Sequence, residues 1–272
     1  MKITPIMHQL KAPLGNDYDE EWNIVLEGGL VYHVIELQTS LKVAKTLRKV
    51  TIEIGGTPIA YASGELLKLK EAAYKKHGEE GRFVLDLANF EYRTPVGIYQ
   101  SSLVTGADED VILKVEFGEK DATDPAKLTM RGKAWVTENS AANTPGAGRE
   151  YLPTMKTLTL DCPEKGDFEV AYQGSQTRWL QRMYIDESNV NVTKVFVKRG
   201  KTTIHEATRD DIDFAMQRYA DVDLPSGHLL LDFTLMGFGV NDAMNTHGLN
   251  FVFQTDGPGA MKVHVDGYEK VA

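Results

Sequence analysis

Along this chain apolar and polar positions alternate in short runs closed by glycine, proline or polar clusters, the pattern of half-buried strands joined by turns. Residues 22–26 and 32–37 are rich in β-branched and aromatic side chains and are separated by Gly28-Gly29. Val50, Ile52 and Ile54 then alternate, Gly55-Gly56 turns the chain, and residues 58–61 return. A helix opens at Ser63, with Leu66, Leu69, Ala73 and Lys76 on one stripe and Gly78 as its expected stop. Residues 82–87, 111–117 and 128–136 predict further strands. The 22 residues from 89 to 110, with Pro95, Gly97 and Gly106, are long for a connection in a compact β domain, which predicts function or packing on a neighbour. Residues 1–21 carry Ile3, Ile6, Met7 and Leu10 without a sustained period, and predict an extended arm along a neighbour or facing lipid.

The second half repeats the first. Val195, Gly200, Ile204 and Thr208 follow Val50, Gly55, Ile59 and Ser63 at a constant offset of 145, and Asp232 follows Asp86 at 146. A period of half the chain predicts one domain built twice. Thr208-Arg-Asp-Asp211 fits the capping-box pattern and starts a second helix, with Ile212, Ala215, Met216 and Tyr219 as its stripe. A glycine-rich loop through Gly237, Gly239 and Gly248 follows, and residues 138–148, small and broken by proline and glycine, read as a linker. The expected organisation is an arm over 1–21 and β units over 22–143 and 144–272. The fold class is all-β with one short helix per half: a double jelly roll of two tandem eight-stranded antiparallel β-sandwiches. Gly55 with Gly200, Ser63 with Thr208 and Asp86 with Asp232 are the predicted repeat-equivalent positions. The glycines serve as turns, the hydroxyls as caps, and the aspartates face away from cores filled by Leu85, Leu87, Leu231 and Phe233.

Charge narrows the function. A net charge of −9 argues against a phosphate-neutralising surface, so no direct nucleic-acid partner is expected. The single Cys162 allows no intrachain disulfide and reads as a small apolar strand residue. There is no signal-peptide core and no run of about 18 apolar residues, so synthesis in the cytosol without a membrane span is expected. His205-Glu206-Ala-Thr-Arg209 begins like a zinc-protease motif but places Arg209 where the second histidine must stand. Gly237-Phe-Gly239 lacks the third glycine of a dinucleotide loop, and the other histidines are scattered. No catalytic residue, cofactor or enzyme activity is expected. The carboxylate groups at 108–110, at 210, 211 and 213, and at 221 and 223 read as solvated charge. A structural calcium is the one metal their chemistry leaves open.

The tandem pair resembles the double jelly-roll major capsid proteins of tailless, membrane-containing double-stranded DNA bacteriophages, most nearly the small corticovirus type. The resemblance rests on residues 32–37, on Leu47-Arg-Lys-Val-Thr-Ile-Glu-Ile-Gly-Gly56 with the Leu66-Leu-Lys-Leu69 helix, and on Leu229-Leu-Leu-Asp-Phe-Thr-Leu235. It implies a major capsid protein in the virion, made in the host cytoplasm. It implies a homotrimer forming pseudo-hexagonal capsomers that tile an icosahedral shell around an internal membrane. The implied partners are neighbouring capsomers, vertex or penton proteins, and the viral membrane or its proteins on the inner face. The competing reading is a jelly-roll carbohydrate-binding or adhesion module, which exposed aromatic platforms would favour. Trp22, Trp135 and Trp179 all fall in predicted strands.

Overall fold

The computed structural model describes residues 4–90, 92–239 and 242–271. The first half forms β1 (Ile6–Gln9), β2 (Glu21–Leu26), β3 (Leu30–Thr39), β4 (Leu47–Ile54), β5 (Thr57–Ala62), helix α1 (Gly64–Ala73), β6 (Arg82–Asp86), helix α2 (Pro95–Ser101), β7 (Leu103–Val104), β8 (Val111–Phe117) and β9 (Met130–Glu138). The second forms β10 (Tyr151–Cys162), β11 (Gly166–Ala171), β12 (Arg178–Asp186), β13 (Val192–Arg199), β14 (Thr202–Thr208), helix α3 (Arg209–Ala220), β15 (His228–Asp232), β16 (Met244–Asn245), β17 (Leu249–Thr255) and β18 (Gly259–Lys270). Alternation does what it predicts in the strands. Val111, Leu113, Val115 and Phe117 of β8 are all fully buried, and the residues between them are not.

Two sandwiches result, with the same strand order. The first faces β1-β9-β3-β6, with β7 beside β3, against β2-β8-β4-β5. The second faces β10-β18-β12-β15, with β16 beside β12, against β11-β17-β13-β14. Read element for element, each strand of one has its counterpart in the other. Helices α1 and α3 occupy the same connection, β5 to β6 and β14 to β15. The sandwiches are not merely tethered: β5 pairs in parallel with β10, Ala60 opposite Met155, so one sheet of each merges into a single nine-stranded sheet.

Three expectations need correction. Helix α1 ends at Ala73, not at Gly78, because Lys75 takes a left-handed conformation at φ 51° and the Ala73 carbonyl accepts from the Asp223 N–H of the second sandwich at 2.9 Å. Lys76 therefore lies beyond the stripe. Tyr219 of α3 is exposed, while Ile212 and Met216 carry that helix's buried face. The expected arm belongs to the first sandwich from Ile6 onward. Strand β1 pairs with β9, and Leu10 is buried against Gly132, where a Cβ would stand 2.8 Å from the Leu10 Cδ1. Ile3 lies outside the described residues. The segment 138–148 connects the two sandwiches, and the Asn139 amide anchors it by donating to the carbonyls of Thr105 and Ala147, each at 2.9 Å.

Both long helices start on a hydroxyl. Ser63 Oγ accepts from the Leu66 N–H at 3.2 Å, and Thr208 forms a full capping box with Asp211. Replacing Thr208 or Ser63 by alanine should each cost about 1 kcal/mol. Urea denaturation of the two variants checks this, and unchanged midpoints would contradict the assignment.

Candidate assembly surfaces and the seam that orients them

Helix α1 belongs to both sandwiches. Leu66 and Leu67 pack into the first core, Ala73 packs into the second, and Leu69 touches both. One of its polar side chains reaches the second sandwich. Lys70 Nζ donates to both carboxylate oxygens of Asp266 on β18, at 2.8 and 2.7 Å. Beside it, Arg182 of β12 pairs with Asp232 of β15 at 2.6 Å, and the Tyr74 ring lies 4.8 Å under the guanidinium. Burial tends to lower the Arg182 pKa, but Asp232 and the surrounding phenols outweigh it and hold it well above the ordinary value. Burial pushes the phenols of Tyr74, Tyr184 and Tyr268 upward, so they remain protonated donors.

The long connection between β6 and β8 supplies the second grip, and it holds a helix that its proline and glycines concealed. Thr94 caps α2 by accepting from the Gly97 N–H at 3.1 Å, with Pro95 in the first turn, where no N–H is needed. Just before that helix, Tyr92 shares a hydroxyl-to-hydroxyl hydrogen bond of 2.7 Å with Tyr268 and accepts from the Gln181 amide at 2.9 Å. The Arg93 N–H donates to the Gly237 carbonyl at 2.9 Å. Gly97 and Gly239 then meet so closely that a Cβ on Gly239 would lie 3.0 Å from the Gly97 Cα. A cleft of about 310 Å³ runs along the seam, lined among others by Lys76, Asp86, Phe90, Met155 and Arg182.

The sequence-selected residues divide between turns and seam. Gly55 and Gly200 take φ values of 55° and 59° in hairpin turns where nothing crowds them, a conformation cheapest for glycine. Asp86 and Asp232 occupy the same register, opposite Val34 and Arg182. Their chemistry differs: Asp86 makes an exposed pair with Lys76 at 2.7 Å, while Asp232 is buried. The acidic groups do not converge. Glu109 pairs with Arg149, Asp211 caps α3, Asp213 pairs with Arg209 and Asp221 with Lys75. Among the described residues no group of three or more histidine, cysteine or acidic side chains is placed to hold a metal ion. His205 and Glu206 lie on strand β14 rather than a helix. Burial lowers the pKa of His33 to about 4; it lies between the Ser102 and Thr137 hydroxyls at 2.9 and 3.1 Å.

At one end of the molecule the connections 94–107, 139–148, 172–177 and 233–248 hold Asp242 as their one acidic residue and no lysine or arginine, and Asp108, Glu109, Asp110, Arg149, Arg199 and Lys201 lie beside them. Phe90, Val96, Met236 and Phe238 are exposed at that end. At the opposite end, residues 118–129 alone carry Glu119, Lys120, Asp121, Asp124 and Lys127.

Family profiles for the viral coat protein P2 N-terminal domain and C-terminal domain match residues 7–137 and 152–271. The chain belongs to the viral coat protein P2 family. No significant match was found among curated protein sequences. Among solved structures, the major capsid protein P2 of Bacteriophage PM2 matches with a TM-score of 0.83 at 15% identity, covering 99% of this chain and 98% of that one. A chain in the atomic structure of Sulfolobus Turreted Icosahedral Virus matches with a TM-score of 0.69 at 12% identity, covering 97% and 90%. The PBCV-1 virus capsid protein matches at 0.64 and 10%, covering 97% and 93%. At these identities the structural likeness is one of fold, the double jelly roll, and the family profiles carry the capsid role.

In this viral coat protein the seam is where buried charged and hydrogen-bonding side chains are gathered. Asp232→Ala leaves Arg182 charged and unpaired in a buried site and should cost about 3–5 kcal/mol, whereas Asp86→Ala, at an exposed pair, should cost no more than about 1 kcal/mol. Chemical denaturation of the two variants checks the contrast, and equal losses would contradict it.

Proposed function

We propose that this major capsid protein assembles as a homotrimer whose six jelly rolls form one pseudo-hexagonal capsomer, and that such capsomers tile an icosahedral shell around a membrane. The observation that carries the trimer is the merged sheet. Inside one chain β5 joins β10, and the counterparts of those two edges, β14 and β1, are paired on one side only among the described residues. A contact that joins unlike edges is heterologous, and repeated by rotation it closes into a ring. Six similar lobes then need three chains. Unpaired edges left open are also an aggregation hazard, which ring closure removes.

The exposed apolar side chains support the orientation: the end that presents Phe90, Val96, Met236 and Phe238 suits the membrane side, and the opposite end suits solvent. The role is structural rather than enzymatic, in the virion after synthesis in the host cytoplasm. Neighbouring capsomers and vertex proteins are the expected lateral partners.

Light scattering of the purified protein at micromolar concentration should give three chains per particle, and a stable monomer would overturn the trimer. In flotation with zwitterionic phosphatidylcholine vesicles the protein should rise with the lipid, and Phe238→Asp together with Phe90→Asp should reduce the floated fraction severalfold. Binding that is indifferent to both changes would overturn the orientation.

A further inference from the structure

The two rolls match bulge for bulge, which allows a residue-level comparison of the joined edge with the free ones. The β3–β9 ladder breaks between Tyr32 and Val34, and β12–β18 between Leu180 and Arg182. The β4–β5 ladder breaks between Ile52 and Glu53, and β13–β14 between Val197 and Lys198. Aligned on these bulges, Met7 corresponds to Met155, Trp135 to Asp266 and His205 to Ala60. Counting from the helix caps, Phe214 corresponds to Leu69, Ala215 to Lys70 and Tyr219 to Tyr74.

At the joined edge every one of these positions is engaged. Met155 is buried in the first core beside Ala60, Leu69 packs on both cores, Lys70 holds Asp266, and Tyr74 lies under Arg182. At the free edges the counterparts stand open. Phe214 and Tyr219 are 64% and 57% exposed on α3, and Met7 and Trp135 are 58% and 38% exposed at the far side of the molecule. Beside β14 lies a recess of about 110 Å³, lined among others by His205, Ala207, Ile212, Leu231 and Phe233. Its walls correspond to the site that Met155 fills in the first roll, since Ala207 corresponds to Ala62 and Leu231 to Leu85. The ion pair of the seam changes in step: where Lys70 meets Asp266, the free surfaces offer Ala215 and Trp135, two apolar partners in place of two charged ones.

We infer that the occupant of this open face is a second copy of the same chain. Strand β1 of one copy lies parallel to β14 of the next, with Met7 opposite His205 and its side chain in the recess. Phe214 and Tyr219 of α3 cover the sheet that carries Trp135. The contact between copies thus repeats the contact inside each copy. This assignment rests on the reading of the chain as a ring-forming capsid subunit, and it adds which surfaces close the ring.

The test places one cysteine on each edge, Met7→Cys with His205→Cys, and oxidises the protein with oxidised glutathione. Native Cys162 is buried and serves as background in the single variants. The double variant should give a covalent trimer on a non-reducing gel, and each single variant should run as a monomer. Phe214→Lys, at an exposed position, should weaken the trimer at least tenfold while leaving the circular dichroism of the folded chain unchanged. A wild-type protein that is trimeric in solution, yet shows no cross-link in the double variant and an unweakened trimer in Phe214→Lys, would overturn this surface and leave the capsid reading standing. A monomeric wild type would overturn the ring itself.

Discussion

One charged pair withdrawn from water, Lys70 of α1 with Asp266, joins the two rolls, and beside it Tyr74 of α1 lies under Arg182, which Asp232 holds from within the second roll; these contacts set how one jelly roll stands beside the other. Replacing such pairs with well-packed apolar groups is often no less stable, so stability alone does not explain them. What they add is direction. An apolar patch between α1 and the second roll would tolerate sliding, whereas a buried lysine that must stay on one carboxylate, beside a tyrosine stacked on a guanidinium, holds the two surfaces in one register. A shell tile has to hold its lobes at a constant angle, because a small error is multiplied at every contact around a ring and across a lattice. The tyrosine bonds of the 87–110 connection and the Gly97–Gly239 contact restrain the same angle from another side.

Much of this architecture was legible in the sequence, for a physical reason that also marks where legibility ends. The repeat was visible over the stretch from Val50 to Asp86, where turn, strand and helix lengths are held by the hairpin glycines and the helix caps. Beyond it the offset between register-equivalent residues falls from 146 at Asp86 and Asp232 to 138 at Val115 and Phe253, and to 131 at Trp135 and Asp266. Two connections differ in length between the rolls, and a comparison at constant spacing loses the match there although the strands continue to correspond.

The seam was hidden for another reason. Arg182, Asp266 and Tyr268 sit at outward positions of strands whose inward positions read normally, and an outward charge ordinarily means solvent. The signal that could have exposed them is the company they keep. The outward face of β18 carries His264, Asp266 and Tyr268 in succession, three side chains that are all buried, where a wet face would carry lysine, glutamate or threonine. The ending of α1 was missed similarly, because the carbonyl that stops it is claimed by Asp223, about 150 residues away and on the other roll. The helical stripe read from Leu66 through Lys76 is in fact two faces, one for each core.

In the proposed ring the junction between rolls within a chain is also the junction between chains. Electron cryomicroscopy of the assembled protein measures it most directly. The account predicts a three-chain ring in which six rolls follow one another through six similar junctions, β5 to β10 alternating with β14 to β1. A particle whose copies meet instead through the end connections, or through like edges across a two-fold axis, would contradict it.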